Sequence, residues 1–181
     1  MKSVYLESVR DLLHRPGEMR ERTLEIVTPE GFGEALASIP AGEKLTLDLR
    51  LESVHEGVLV SATANTTMHA ECGRCLKAFT APFEVEFQEL FAYTSSEADE
   101  YEVHGDHVDL EPPLRDAVVL ALPFQPVCRP DCPGLDPESG ELRDAEAVAA
   151  PDVIVDPRWA ALADFQAVES SGSDVSESES N

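Results

Sequence analysis

The chain has 181 residues, 43% of them apolar, and a formal charge of −23 at pH 7. That length suits one domain and a tail, and no apolar run is long enough to cross a membrane as a helix. The excess of carboxylates excludes holding nucleic-acid phosphates by overall charge and favours basic partners, which such a field attracts at long range.

The first residues, "MKSVYLESVRDLLHR", carry acids and lack the apolar stretch of a secretory signal. A cytoplasmic location is therefore expected, where thiols stay reduced and disulfides are rare. Val4, Leu6, Val9, Leu12 and Leu13 suit a short strand followed by a helical turn, and "HRPGEM" breaks it. Residues 22–28, "RTLEIVT", read as a strand with Leu24 and Ile26 on one face. "PEGFGEALASIP" suggests a short helix stopped by Pro40, weakened by two glycines.

The next 45 or so residues carry the clearest periodicity. Leu45, Leu47, Leu49 and Leu51 alternate with polar residues, and "HEG" makes a tight turn. Val58, Val60, Ala62, Ala64, Thr66 and Met68 then share one face of a second strand. Phe79, Ala81, Phe83, Val85 and Phe87 do so in a third. Three long strands with short connections predict an antiparallel meander. "SSEADE" at 95–100 reads as a polar loop, and "YEVHGDHVDL" as a small hairpin turning at Gly105-Asp106.

"EPPLRDAVVLALP" places Leu114, Ala117, Val118, Ala121 and Leu122 at helical spacing. Pro112 and Pro113 suit a helix start and Pro123 a stop. "DPRWAALADF" at 156–165 predicts a last short helix with Trp159, Leu162 and Phe165 inward. The Ser/Glu-rich end cannot bury a core. The expected architecture is thus a single α+β domain over 1–166, a mainly antiparallel β-meander covered by one or two helices, with a disordered acidic tail over 167–181.

All four cysteines fall in two close pairs: Cys72 and Cys75 in "CGRC", Cys128 and Cys132 in "CRPDC". A two-residue spacer lets both sulfurs point at one ion, and structural zinc sites take four such ligands from two separate turns. The three-residue spacer of the second pair is looser but compatible. The first pair sits on a zinc-knuckle-like turn between the second and third strands. Unmetallated core thiols are a rival reading. A redox motif is another, but a redox C-x-x-C opens a helix, whereas Cys75 is followed by the strand-like "LKAFTAPFEVEF". His69, three residues before Cys72, and Asp136, four after Cys132, are weaker ligand candidates; His104 and His107 read as solvated. Of the basic residues, Lys2, Arg10, Arg15, Arg20 and Arg22 crowd the start, and Arg74 and Lys77 flank the cysteine turn. Direct RNA contact would need such local patches. No catalytic constellation stands out.

"LLHRPGEMRE", "CGRCLKAF" and "VDLEPPLRDAVVLALPFQPVCRPDCPGL", in that order, resemble the YceD family of large ribosomal RNA subunit accumulation proteins, most nearly its actinobacterial members. The resemblance covers about residues 3–140. It implies a factor without enzymatic activity that supports accumulation or processing of large-subunit ribosomal RNA. It also matches Cys72, Cys75, Cys128 and Cys132 to the family's two cysteine pairs. Many relatives continue with two more cysteines, where this chain has Asp136 and Ser139. Taken with the charge, the expected partner is a basic ribosomal protein or rRNA-processing factor, with RNA contacted indirectly. The alternative is a thiol redox protein using Cys72 and Cys75.

Overall fold

The alternation of leucines with polar residues at 45–51 has a simple consequence: successive side chains leave a strand on opposite faces, so one face is buried. In a computed structural model, which describes residues 3–34, 36–94, 101–143 and 158, this strand is the second of a continuous meander. The elements run β1 (Leu6–Ser8), β2 (Met19–Val27), β3 (Ala37–Ser38), β4 (Lys44–Ser53), β5 (Gly57–Glu71), β6 (Ala78–Ala92), β7 (Tyr101–Glu102), β8 (His107–Asp109) and α1 (Glu111–Ala121). They belong to one compact unit, Met1–Arg143. The expected helix at 156–165 and the tail at 167–181 lie outside the described residues, as does the loop at 95–100.

The larger sheet has the order β2-β4-β5-β6-β7, with β3 paired to β5, and is antiparallel except where β7 joins β6. β1 and β8 form a separate two-stranded sheet. The α+β class and the meander of β4, β5 and β6 are as the periodicity requires. Leu45, Leu47, Leu49 and Leu51 from β4 and Val58, Val60, Ala62 and Ala64 from β5 are all buried on one face. Each fully buried leucine contributes about 2 kcal/mol by leaving water. Tyr5, Val9, Phe32, Ile39, Val108 and Leu110 join the same core, with Leu114 and Val118 of α1. α1 begins at Glu111 with Pro112 and Pro113 in its first turn, as expected, and packs against β6.

Two expectations fail locally. The described residues of 29–40 form no helix: Phe32 and Ile39 exchange backbone hydrogen bonds at 2.9 Å in each direction, and β3 lies between them. Gly33 takes φ +76°, and a Cβ there would lie 2.5 Å from Leu122 Cδ1. The left-handed turn and the burial of Phe32 and Ile39 override a helix that two glycines already weakened. The turn at Gly105-Asp106 exists, with His104 and His107 bonded across it. Its arms nevertheless part: Tyr101–Glu102 pair in parallel with β6, whereas His107–Asp109 pair with β1.

The other face of the meander is open. Cross-strand rows run Glu25–Thr46–Asn65–Glu84, Thr23–Asp48–Thr63–Glu86 and Glu21–Arg50–Ser61–Gln88. Ser61 and Thr63 of β5 with Asp48 and Arg50 of β4 line a shallow depression, and Glu21 of β2 and Glu86 of β6 stand along its sides. Arg50 is itself paired with Glu52.

Candidate metal centre

β5 ends at Glu71, and the chain turns through "CGRCLK" into β6. Cys72 N–H donates to the Lys77 carbonyl at 2.9 Å and Leu76 N–H to the Cys72 carbonyl at 2.8 Å, closing the turn. Leu76 sits at φ +57°, a left-handed conformation that costs a residue with a Cβ about 1 kcal/mol. The turn is tight enough to bring both sulfurs of the pair to one side.

The second pair follows α1 by way of Pro123 and Pro126 and is sewn onto the first by the backbone. Gly73 N–H donates to the Pro126 carbonyl at 2.9 Å, and Leu135 N–H to the Arg74 carbonyl at 3.1 Å. The Arg74 guanidinium adds bonds to the carbonyls of Pro130 and Cys132, at 3.1 and 3.2 Å. Gly134 holds φ +76°, and a Cβ on it would stand 3.2 Å from the Arg74 carbonyl oxygen.

The four sulfurs consequently meet. All lie within 4.8 Å of one another. Cys72 Sγ is 3.8 Å from Cys132 Sγ, and Cys75 Sγ is 3.8 Å from Cys128 Sγ. A tetrahedral metal with bonds of about 2.3 Å to sulfur separates its ligands by about 3.8 Å. Disulfide sulfurs would stand about 2.05 Å apart; all four thiols are free. Cys72, Cys75 and Cys132 are buried, together with part of Phe79, and Cys128 is exposed. The donor set, four soft sulfurs within 4.8 Å with two pairs at the tetrahedral separation, fits a metal ion.

The electrostatics separate the thiols. The Cys128 N–H holds the Cys72 thiol down to about 6, against burial and with help from the N–H groups of Cys75 and Arg74. Cys128 is pushed up to about 12, by desolvation of its sulfur and then by the thiols of Cys132, Cys72 and Cys75. Four neighbouring thiolates repel one another, and a cation at their centre removes that repulsion. The thiol held lowest is also fully buried, whereas a redox nucleophile must be both ionised and accessible.

The weaker candidates lie elsewhere. His69 pairs with Glu43 at 3.1 Å, and His107 with Asp106 at 2.6 Å, while His104 is exposed. Asp136 accepts the N–H groups of Glu138 and Ser139 through Oδ1, both at 2.9 Å, bonds that hold its carboxyl below the usual range. Asp136 and Ser139 thus close a turn beside the cysteines. Arg74 and Gly134 shape the site without having been candidates; "CPG", with its glycine after a Cys-Pro turn, is the one signal that pointed to a constrained backbone there.

Comparison with known proteins places the chain in a family. The family model described as "Large ribosomal RNA subunit accumulation protein YceD" matches residues 60–166, from within β5 through both cysteine pairs. The chain belongs to the YceD family. It is 44% identical over 163 residues to an uncharacterized protein of Mycobacterium tuberculosis (strain H37Rv), covering 86% of this chain and 78% of that one. An uncharacterized protein of Mycobacterium leprae is 38% identical over 167 residues, covering 88% of this chain and 76% of that one. No solved structure gives a significant match. Among the described residues of this YceD member, no helix is long and apolar enough to cross a membrane.

Proposed function

We propose that this YceD protein is a non-enzymatic ribosome-biogenesis factor that supports accumulation or processing of large-subunit ribosomal RNA. Its fold is clasped by one structural zinc ion at Cys72, Cys75, Cys128 and Cys132. The observation that carries the zinc assignment is the convergence of four sulfurs from two turns within 4.8 Å, two pairs of them at 3.8 Å; four thiolate ligands favour zinc held for structure, with no ligand position left for a substrate. Family membership supports the link to ribosomal RNA.

The factor acts by holding a basic ribosomal protein or rRNA-processing partner in the cytoplasm and shielding it from non-specific RNA. The carboxylates around the open sheet face support this: Glu21, Glu25, Asp48, Glu84 and Glu86 are gathered there against Arg50, so a cationic surface meets complementary charge.

Metal analysis of the purified chain tests the clasp, with about one zinc per chain expected and thiols that react only after a chelator is added. Thiols that react at once with no metal bound would return the site to the redox reading. For the partner, salt-sensitive co-purification of a basic large-subunit protein is expected. Tight binding of naked ribosomal RNA with no protein partner would overturn the adaptor role.

A further inference from the structure

We propose that the free edge of β6 takes up an extended segment of the partner, alternating lysine or arginine with apolar residues, as an added strand. This rests on the basic-partner reading and specifies where and how the partner is gripped. β5 pairs with β6 along all 15 of its residues, but β7 covers the opposite edge only at Phe91 and Ala92. From Ala78 to Gln88 that edge has no backbone partner among the described residues. A run of unpaired N–H and C=O groups of this length is a template for strand addition.

Pro82 sets the phase. Within a sheet, proline is tolerated where its missing N–H would face outward. Pro82 pairs with Thr67 inside the ladder, so residues of its parity, Thr80, Glu84, Glu86 and Gln88, turn their backbone groups to the free side. Side chains on the core face of β6 are incompletely covered except at Phe83, which is buried. Phe79, Ala81, Val85 and Phe87 are half-buried, whereas their β5 neighbours Ala70, Met68, Ala64 and Ala62 are buried. An added strand would lay apolar side chains beside that row.

Charge selects the occupant. Glu84 and Glu86 are exposed on the outer face of the same edge. A second copy docking its own β6 antiparallel in the register centred on Val85 would bring these glutamates against their counterparts, and like charges opposed across strands destabilise pairing. The same two residues attract lysine or arginine. The edge is guarded against self-association by the groups that recognise a cationic strand.

The test uses the full chain and two peptides that alternate lysine and valine, one of them N-methylated on alternate backbone nitrogens. The unmodified peptide is expected to bind at low salt and to slow amide exchange at Glu84 and Glu86, and N-methylation to weaken binding about tenfold or more. The Glu84→Lys/Glu86→Lys variant should lose the lysine peptide and gain one alternating glutamate and valine. Equal binding of both lysine peptides, without amide protection, would overturn strand addition and leave the basic-partner reading standing. Binding of neither would remove both. Protection of the same amides by a single-stranded RNA oligonucleotide, and not by the peptide, would also overturn the proposal.

Discussion

Gly73 donates its backbone N–H to the carbonyl of Pro126 at 2.9 Å, fixing the first cysteine turn against the chain two residues before Cys128. The two halves of the cysteine cluster are therefore joined by main chain. Cys75→Ser should abolish zinc binding and release this lobe, while the β4–β5 core persists. The expected cost is several kcal/mol of stability, read as a lower Tm than wild type and a melt no longer shifted by chelator. An unchanged metal content would contradict the assignment.

Gly57 has no room for a side chain: a Cβ there would stand 2.0 Å from the Phe91 carbonyl oxygen, within the β5–β6 ladder. Gly57→Ala should cost about 3 kcal/mol or more, because backbone must move. Gly17→Ala is the control. Its Cβ would meet nothing within 4 Å, so only the φ of +92° opposes it, a penalty of about 1 kcal/mol. Urea midpoints of the two variants test the order.

Glu7 is buried on β1 and accepts from both Arg20 and Arg22 of β2 through a single oxygen, at 2.9 and 2.8 Å. It ties the two-stranded sheet to the large one. Glu7→Ala removes the carboxylate partner of Arg22 and one of the partners of Arg20, which keeps Asp11 and the Ser8 carbonyl. The loss is expected to be about 2 kcal/mol, less than for a fully buried pair because the arginines reach solvent. Denaturant unfolding of Glu7→Ala, Arg22→Ala and the double variant should show coupling.

Tyr5 is almost fully buried, and its hydroxyl has no hydrogen-bond partner. Burial, and then the nearby carboxylate of Glu111, push this phenol up to about 12 from an ordinary value of 10.0. The folded state thus keeps its proton where the unfolded chain has lost it. The associated stability is fully present below about pH 10 and is lost as pH rises towards about 12. Tyr5→Phe should be neutral or stabilising by about 1 kcal/mol at pH 7, and its stability should fall less than wild type's over that alkaline window. A parallel fall in both proteins would refute the assignment.

The meander was legible because its period of two is written locally, in Leu45–Leu51 and Val58–Ala64, and α1 because paired prolines and a helical stripe coincide. Residues 29–40 misled because Phe32 and Ile39, seven apart, also fit a helix face. Only the tertiary position of Gly33 against Leu122 decides between the two. The arms of the 101–109 turn part because β8 pairs with β1, about a hundred residues away, and no local pattern encodes that. Likewise, the ligand types and their close pairing were visible at Cys72–Cys75 and Cys128–Cys132. Their convergence was not, since it rests on main-chain bonds from Gly73 and Leu135.

The distance along the chain between Cys72 and Cys132, 60 residues, also sets an order of events during synthesis. β4, β5 and β6 can pair through short connections as they leave the exit tunnel, since local contacts form early. The proposed zinc ion cannot acquire its full ligand set until Cys132 has emerged. On that proposal, metal loading is a late checkpoint on the nascent chain, and scarcity of zinc would leave molecules with a finished sheet and an unlatched lobe.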